Sequence, residues 1–323
     1  KLIDLIAVFA LLAGTATTFS LATPLLAGAI SSVTGIPQST GLTLVILVIV
    51  CAIYTFSVYF GMKGVQLSAA TCTWLFFGLL AYVFFFGGQT RFIIEEGITA
   101  LGNMTQNFIG LSTWTDSLRT SSFPQTWTIF YWAYWMVWCV AVPFFIGSIS
   151  KGRTLRQVIL GGYVFGLSGT FTSFIIMGNY GLGLQMHGKL DVLSSYAADG
   201  NLYHAILDIL GQLPLSKAVL VLLVLCMITF YSTSFDSITM VASTYTYKEL
   251  KSDEEPHRNV KLFWAIFLIL LPLALIFSEN SMSNLQTVSI IAAFPVGIIM
   301  LLIITSFFKD ADAYLKEQAN PPE

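Results

Sequence analysis

The chain has 323 residues, of which 56% are hydrophobic and only 10% charged, and its mean hydropathy is +0.78. Soluble domains carry about a quarter charged residues, so the composition excludes an ordinary soluble fold and places the chain in a membrane. A net charge of −2 argues against nucleic acid as a partner.

Eight apolar runs approach the roughly 20 residues that a helix needs to cross a bilayer. In chain order they are Leu2–Leu26, Leu42–Phe60, Thr73–Phe86, Thr126–Ile149, Ile159–Met177, Lys217–Tyr247, Val260–Phe277 and Leu285–Phe308. The N-terminal run has neither the basic flank nor the cleavage pattern of a signal peptide. Charge supports the count. Lys1, Lys63, Lys151, Arg153, Arg156, Lys248, Lys251, Arg258, Lys261, Lys309 and Lys316 fall on one side. Arg91, Arg119, Lys189 and Lys217 fall on the other. By the positive-inside rule the first side, with both ends of the chain, is cytoplasmic.

The first run carries Thr15, Thr17, Thr18, Ser20 and Thr23, a density of hydroxyls expected on a helix that faces other helices or water. Back-bonding to the helix itself explains some of them. Between the third and fourth runs, Arg91–Leu111 reads as an amphipathic helix at the outer surface, with Phe92, Ile93, Ile98, Leu101 and Phe108 on its apolar side. Leu202–Leu213 is a shorter segment of the same kind. Asn103-Met104-Thr105 fits a glycosylation acceptor, a pattern common by chance. Gly161, Gly162, Gly166 and Gly169 in the fifth run suit close helix packing. Thr23-Pro24 and Val142-Pro143 predict kinks.

The fourth run contains WTIFYWAYWMVW at Trp127–Trp138, in which seven of twelve residues are aromatic. On a helix, Phe130, Tyr134 and Trp138 share one face, and Trp127, Tyr131 and Trp135 share the adjoining one. Such a wall holds a cation through the faces of its rings. An aromatic belt at headgroup level is the alternative, although this run continues for about three turns. The sixth run holds Tyr231–Ser243, YSTSFDSITMVAS, with Ser232, Thr233, Ser234, Asp236, Ser237 and Thr239 in an oily helix. Asp236 lies twelve residues before Lys248, about 18 Å along a continuous helix, and an ionisable residue at that depth is a candidate functional site. Hydroxyls there are the hard ligands an alkali cation prefers. Helix–helix hydrogen bonding is the alternative.

No enzyme signature is present, whether HExxH, GxSxG, a Walker sequence or paired carboxylates at mid-membrane depth. Cys51, Cys72, Cys139 and Cys226 lie in apolar runs without metal spacing, and His187, His204 and His257 lie in polar loops. Neither a metal nor an organic cofactor is expected.

FYWAYWMVW at Phe130–Trp138 is similar to the FYWAWW signature of the betaine/choline/carnitine transporter family. Ile149–Gln157, ISKGRTLRQ, resembles the loop that follows it there. LATPL (Leu21–Leu25), KGV (Lys63–Val65), TSFDS (Thr233–Ser237), SNLQT (Ser283–Thr287) and FFKDA (Phe307–Ala311) match in family order. The resemblance implies an all-α integral membrane protein with the inverted five-helix-repeat fold of secondary transporters. This chain corresponds to the fifth through twelfth helices of twelve. It forms one transporter domain over 1–323, in which 1–125 is the remainder of the first repeat, 126–308 is the complete second repeat and 309–323 is a cytoplasmic tail.

The same resemblance implies a bacterial plasma-membrane importer of a quaternary ammonium compound such as betaine, choline or carnitine, assembled as a homotrimer in lipid. It places Tyr134, Trp135 and Trp138 in the substrate box, with Phe130 at its edge. Tyr134 stands where the family usually has tryptophan, and its added hydroxyl points towards a substrate bearing a polar group. Thr233 and Ser234 match the pair that binds sodium in the family's sodium symporters, with Asp236, Thr17 and Thr18 as weaker ion candidates. Cys72 and Val142 stand where sodium-independent exchangers carry an arginine and a methionine, which favours sodium-coupled symport. Exchange, proton coupling and a non-transporting membrane sensor are the alternatives.

Overall fold

The computed structural model describes residues 2–59, 62–121, 123–248, 254–276 and 281–319. Phe60 and Phe277, which end two expected spans, lie outside the described residues, as do Lys1 and Lys251. Every described element is helical. In order they are α1 (Leu2–Thr34), α2 (Thr40–Tyr59), α3 (Met62–Phe86), α4 (Thr90–Gln106), α5 (Phe108–Thr113), α6 (Phe130–Val137), α7 (Val142–Ile149) and α8 (Leu155–Ser173). Then follow α9 (Asn179–Met186), α10 (Val192–Asp199), α11 (Leu202–Gly211), α12 (Ser216–Thr244), α13 (Arg258–Ile276) and α14 (Ser281–Ala319).

Six described helices are long and apolar enough to cross a membrane, including Leu155–Met186, in which α8 and α9 are joined by a π-helical turn at Phe174–Gly178. Of the other two expected spans, one is the 19-residue α13. The second, expected over Thr126–Ile149 with a kink at Val142-Pro143, is built from four pieces. A π-helical turn at Pro124–Ile129 leads into α6, a 3₁₀ turn follows at Trp138–Val140, and α7 restarts at Val142. Pro143 is the cause: it has no N–H to offer the carbonyl one turn back, and it stands at the start of the new helix where that N–H is not needed.

The described core is organised on α1 and α12. α1 packs against α14, α12, α13 and α11, and also against α6 and the 3₁₀ turn. Small residues make the approach possible. Ala7, Ala10 and Ala13 of α1 meet Ala133, Val137 and Val140 of the aromatic span and Ala292, Ala293 and Val296 of α14, all buried. α12 packs on α1, α2, α3 and α13. There Phe235 is enclosed by Phe19 at 4.0 Å and Tyr54 at 5.4 Å between ring centroids.

Of the residues assigned to the apolar side of the expected surface helix, Ile93 is buried against the protein, together with Gly97 of α4, while Ile98 and Phe108 are exposed, as rings and chains facing lipid would be. Gly97 seats Ile175 so closely that a Cβ there would lie 2.6 Å from it. Gly161, Gly162, Gly166 and Gly169, which suit close packing, meet no atom of the described residues within 4 Å of where a Cβ would stand. Local order at the start of α8 comes from another device. Thr154 and Gln157 form a reciprocal capping box, directly after Gly152 turns the chain at φ +82°.

Candidate functional site

The rings of the aromatic span divide between two faces. Phe130 is 1% exposed and stacks on Tyr134 at 5.5 Å and 27°. Tyr134 meets Trp138 edge to face at 6.0 Å and 88°. The i, i+4, i+8 spacing therefore gives one continuous wall, turned towards α1. Trp135 is not part of it. At 64% exposure it projects from the adjoining face, with its ring 6.4 Å from that of Tyr134 in an edge contact. Tyr131 and Trp132 are exposed too, the arrangement of rings facing lipid or headgroups.

The wall is held from α1. Thr18 and Tyr134 share a hydroxyl–hydroxyl bond of 2.6 Å, and Thr18 donates its own proton to the Gly14 carbonyl at 2.9 Å. Gly14 lies under the indole of Trp138, where a Cβ would stand 3.0 Å from the ring. At the C-terminal end of the wall, the hydroxyl of Tyr245, just after α12, donates to the Val140 carbonyl at 2.8 Å. The break in the aromatic span is thereby tied to α12.

The polar residues of α12 point several ways. Thr233 donates to Thr229 on its own helix at 2.9 Å and lies 3.4 Å from Ser68 of α3. Ser234 is half-buried, about 100° further round the helix. Asp236 is fully buried on the opposite side from Ser234, accepting from Ser57 of α2 at 2.7 Å. Its second oxygen and the hydroxyls of Ser232 and Thr239 are buried without hydrogen-bond partners among the described residues. Residues two apart on a helix of 3.6 residues per turn face nearly opposite ways, so Asp236 and Ser234 cannot share one ion. α12 ends at Thr244, so Asp236 lies eight residues before the helix end, about 12 Å. The 18 Å depth rested on a helix continuous to Lys248.

The hydroxyls of Thr15, Thr17 and Thr23 in α1 are occupied. Thr15 and Thr17 donate to the carbonyls four residues back, and Thr17 also bonds Ser289 of α14 at 2.7 Å. Thr23 bonds the Tyr231 hydroxyl of α12 at 2.7 Å. Sequence reasoning missed Gly14, Ser57 and Ser289, whose parts are set by partners distant in the chain. The only signal was the run of small residues and hydroxyls from Ala13 to Thr18.

A wall of aromatic rings offers the faces that attract an organic cation. Residues 1–316 match the model of the BCCT family, the betaine/carnitine/choline family transporters. The chain belongs to this family. It is 31% identical to a carnitine transporter of Acinetobacter baumannii over 84% of this chain and 50% of the relative. It is 30% identical to a probable glycine betaine transporter of Desulfitobacterium hafniense over 96% of this chain and 61% of that one. Identity is also 30% with the glycine betaine transporter OpuD of Bacillus subtilis, over 98% of this chain and 60% of that protein. This BCCT member thus spans between half and about three fifths of the length of these relatives. The family is one of membrane transporters and not of enzymes.

Proposed function

We propose that this protein is a secondary active transporter that imports a quaternary ammonium compound of the betaine, choline or carnitine type by alternating access. The observation that carries the reading is the Phe130–Tyr134–Trp138 wall, three rings one turn apart on a broken helix, in a chain of the BCCT family. Discontinuous helices are where transporters of this kind hold substrate. The reading includes the inverted-repeat fold, with 126–308 as the second repeat, residence in the bacterial plasma membrane with the C-terminus inside, and a homotrimeric assembly in lipid.

Trp138→Ala in the full-length protein, reconstituted in liposomes, removes a ring face from the cage, and a desolvated cation–π contact is worth about 2 kcal/mol or more. Saturable uptake of labelled betaine and choline is expected to fall at least about thirtyfold. Unchanged uptake would remove the wall from the substrate site. Trp135→Ala is expected to do much less if the exposed position seen here persists in the full protein, and a loss equal to that of Trp138→Ala would return Trp135 to the box.

Sodium is proposed as the coupling ion, with Thr233 and Ser234 supplying hard oxygens. Asp236 is the weaker candidate for a separate cation because one of its carboxylate oxygens is buried without a partner among the described residues. Coupling requires that ion and substrate stabilise a common state. Thr233→Ala is therefore expected to raise the sodium concentration for half-maximal uptake. Uptake indifferent to sodium in the wild type would favour exchange or proton coupling. Thr17 and Thr18 are dropped from the ion reading, since their hydroxyls already hold Ser289 and Tyr134.

A further inference from the structure

We propose that Gly14 and Thr18 of α1 are positioning residues for the aromatic wall, and that the Tyr134 hydroxyl serves this support rather than the substrate. The inference rests on the reading of the wall as the ammonium site.

Thr18 has one hydroxyl proton, and it goes to the Gly14 carbonyl. Its 2.6 Å contact with Tyr134 must then use the phenolic proton, so Tyr134 donates and Thr18 accepts. A directed chain results, from Tyr134 through Thr18 to the Gly14 carbonyl, each bond polarising the next. The one proton of the phenol is used within the protein, so it has none to donate to a hydroxyl or carboxylate on the substrate, which meets Tyr134 through its ring.

Packing points the same way. Gly14 and Thr18 are four residues apart, hence on one face of α1. The first leaves room for the indole, and the second holds the neighbouring phenol. A Cβ at position 14 would crowd both the Trp138 ring at 3.0 Å and the Val137 side chain at 3.1 Å. The perpendicular setting of the two rings is thus fixed from a helix that contributes no ring to the wall. It also explains how tyrosine substitutes at a position where tryptophan is the usual residue: a phenol reaches Thr18 along the axis of its ring.

The test is equilibrium binding to the purified full-length protein, with tetramethylammonium, choline and propyltrimethylammonium as probes. The last replaces the choline hydroxyl by a methyl group of similar size. Thr18→Val, nearly isosteric, is expected to weaken tetramethylammonium binding about three- to tenfold, the range for one lost hydrogen bond. Thr18→Ser is expected to restore it. Tyr134→Phe should give a loss like that of Thr18→Val, and the double variant no more than either alone. The ratio of choline to propyltrimethylammonium affinity should be the same in wild type and Tyr134→Phe. A ratio that favours choline and collapses in Tyr134→Phe would overturn the proposal, because the hydroxyl would then be reading the ligand. So would wild-type affinity in Thr18→Val. Gly14→Ala is expected to weaken all three probes alike. Melting temperatures separate a displaced wall from a misfolded protein. If Trp138→Ala leaves binding intact, the site reading itself has failed; if it abolishes binding while Thr18→Val does not weaken it, only this proposal has.

Discussion

α1 and the helix Leu155–Met186 are similar in length and both apolar enough to cross a membrane, yet half of the most apolar stretch of α1 is buried and none of that of the other is. Hydropathy passes both as spans, and even ranks the buried one higher, because lipid and protein interior are equally oily. What separates them is the distribution of small and hydroxyl-bearing residues. On α1, Ala7, Ala10, Ala13, Ala16 and Thr17 are buried and let α6 and α14 come close. On α8 the glycines lie open along the surface of the described residues, beside exposed Tyr163, Val164 and Phe165. A small residue is permission for close packing, and a partner must still be there to use it.

Substitutions that remove volume or bonds from the inner helices give the sharpest way to break this contrast. Phe235→Ala in α12 empties the space enclosed by Phe19 and Tyr54 and is expected to cost about 3 kcal/mol or more of stability. Thermal unfolding in detergent would measure it, and a loss below about 1 kcal/mol would mean the cluster collapses onto the gap. Thr17→Val removes one bond between α1 and α14. Interhelical bonds in membranes average about 0.6 kcal/mol and reach about 1.7, so a shift of a few degrees in melting is expected. The smallest effect belongs to the outer helix. Gly166→Ala is expected to be neutral or to stabilise by up to about 1 kcal/mol, through helix propensity alone. Destabilisation there would show that something outside the described residues covers the face, and the contrast with α1 would disappear.

The same contrast marks what could be read from the sequence. The spans were legible as apolar runs, and the break near Trp138 was announced by Val142-Pro143, because proline's missing donor is a local property. The shared face of Phe130, Tyr134 and Trp138 followed from helical spacing alone. Spacing also put Trp135 on the adjoining face, where it is exposed; its place in the substrate box was implied by the resemblance alone. The Thr18–Tyr134 and Ser57–Asp236 bonds join residues 116 and 179 positions apart. No local pattern specifies such pairs. The depth of Asp236 was misjudged because nothing before Tyr245 signals that the helix stops at Thr244.

The joint at Trp138–Val142 works like a hinge pin set in a second part. A break in a buried helix leaves carbonyls without donors, and within a bilayer no water supplies them. Here the Val140 carbonyl, beside the break, accepts from Tyr245 at the foot of α12. The interrupted ring-bearing rod is therefore tied, at its break, to the rod that carries Thr233, Ser234 and Asp236.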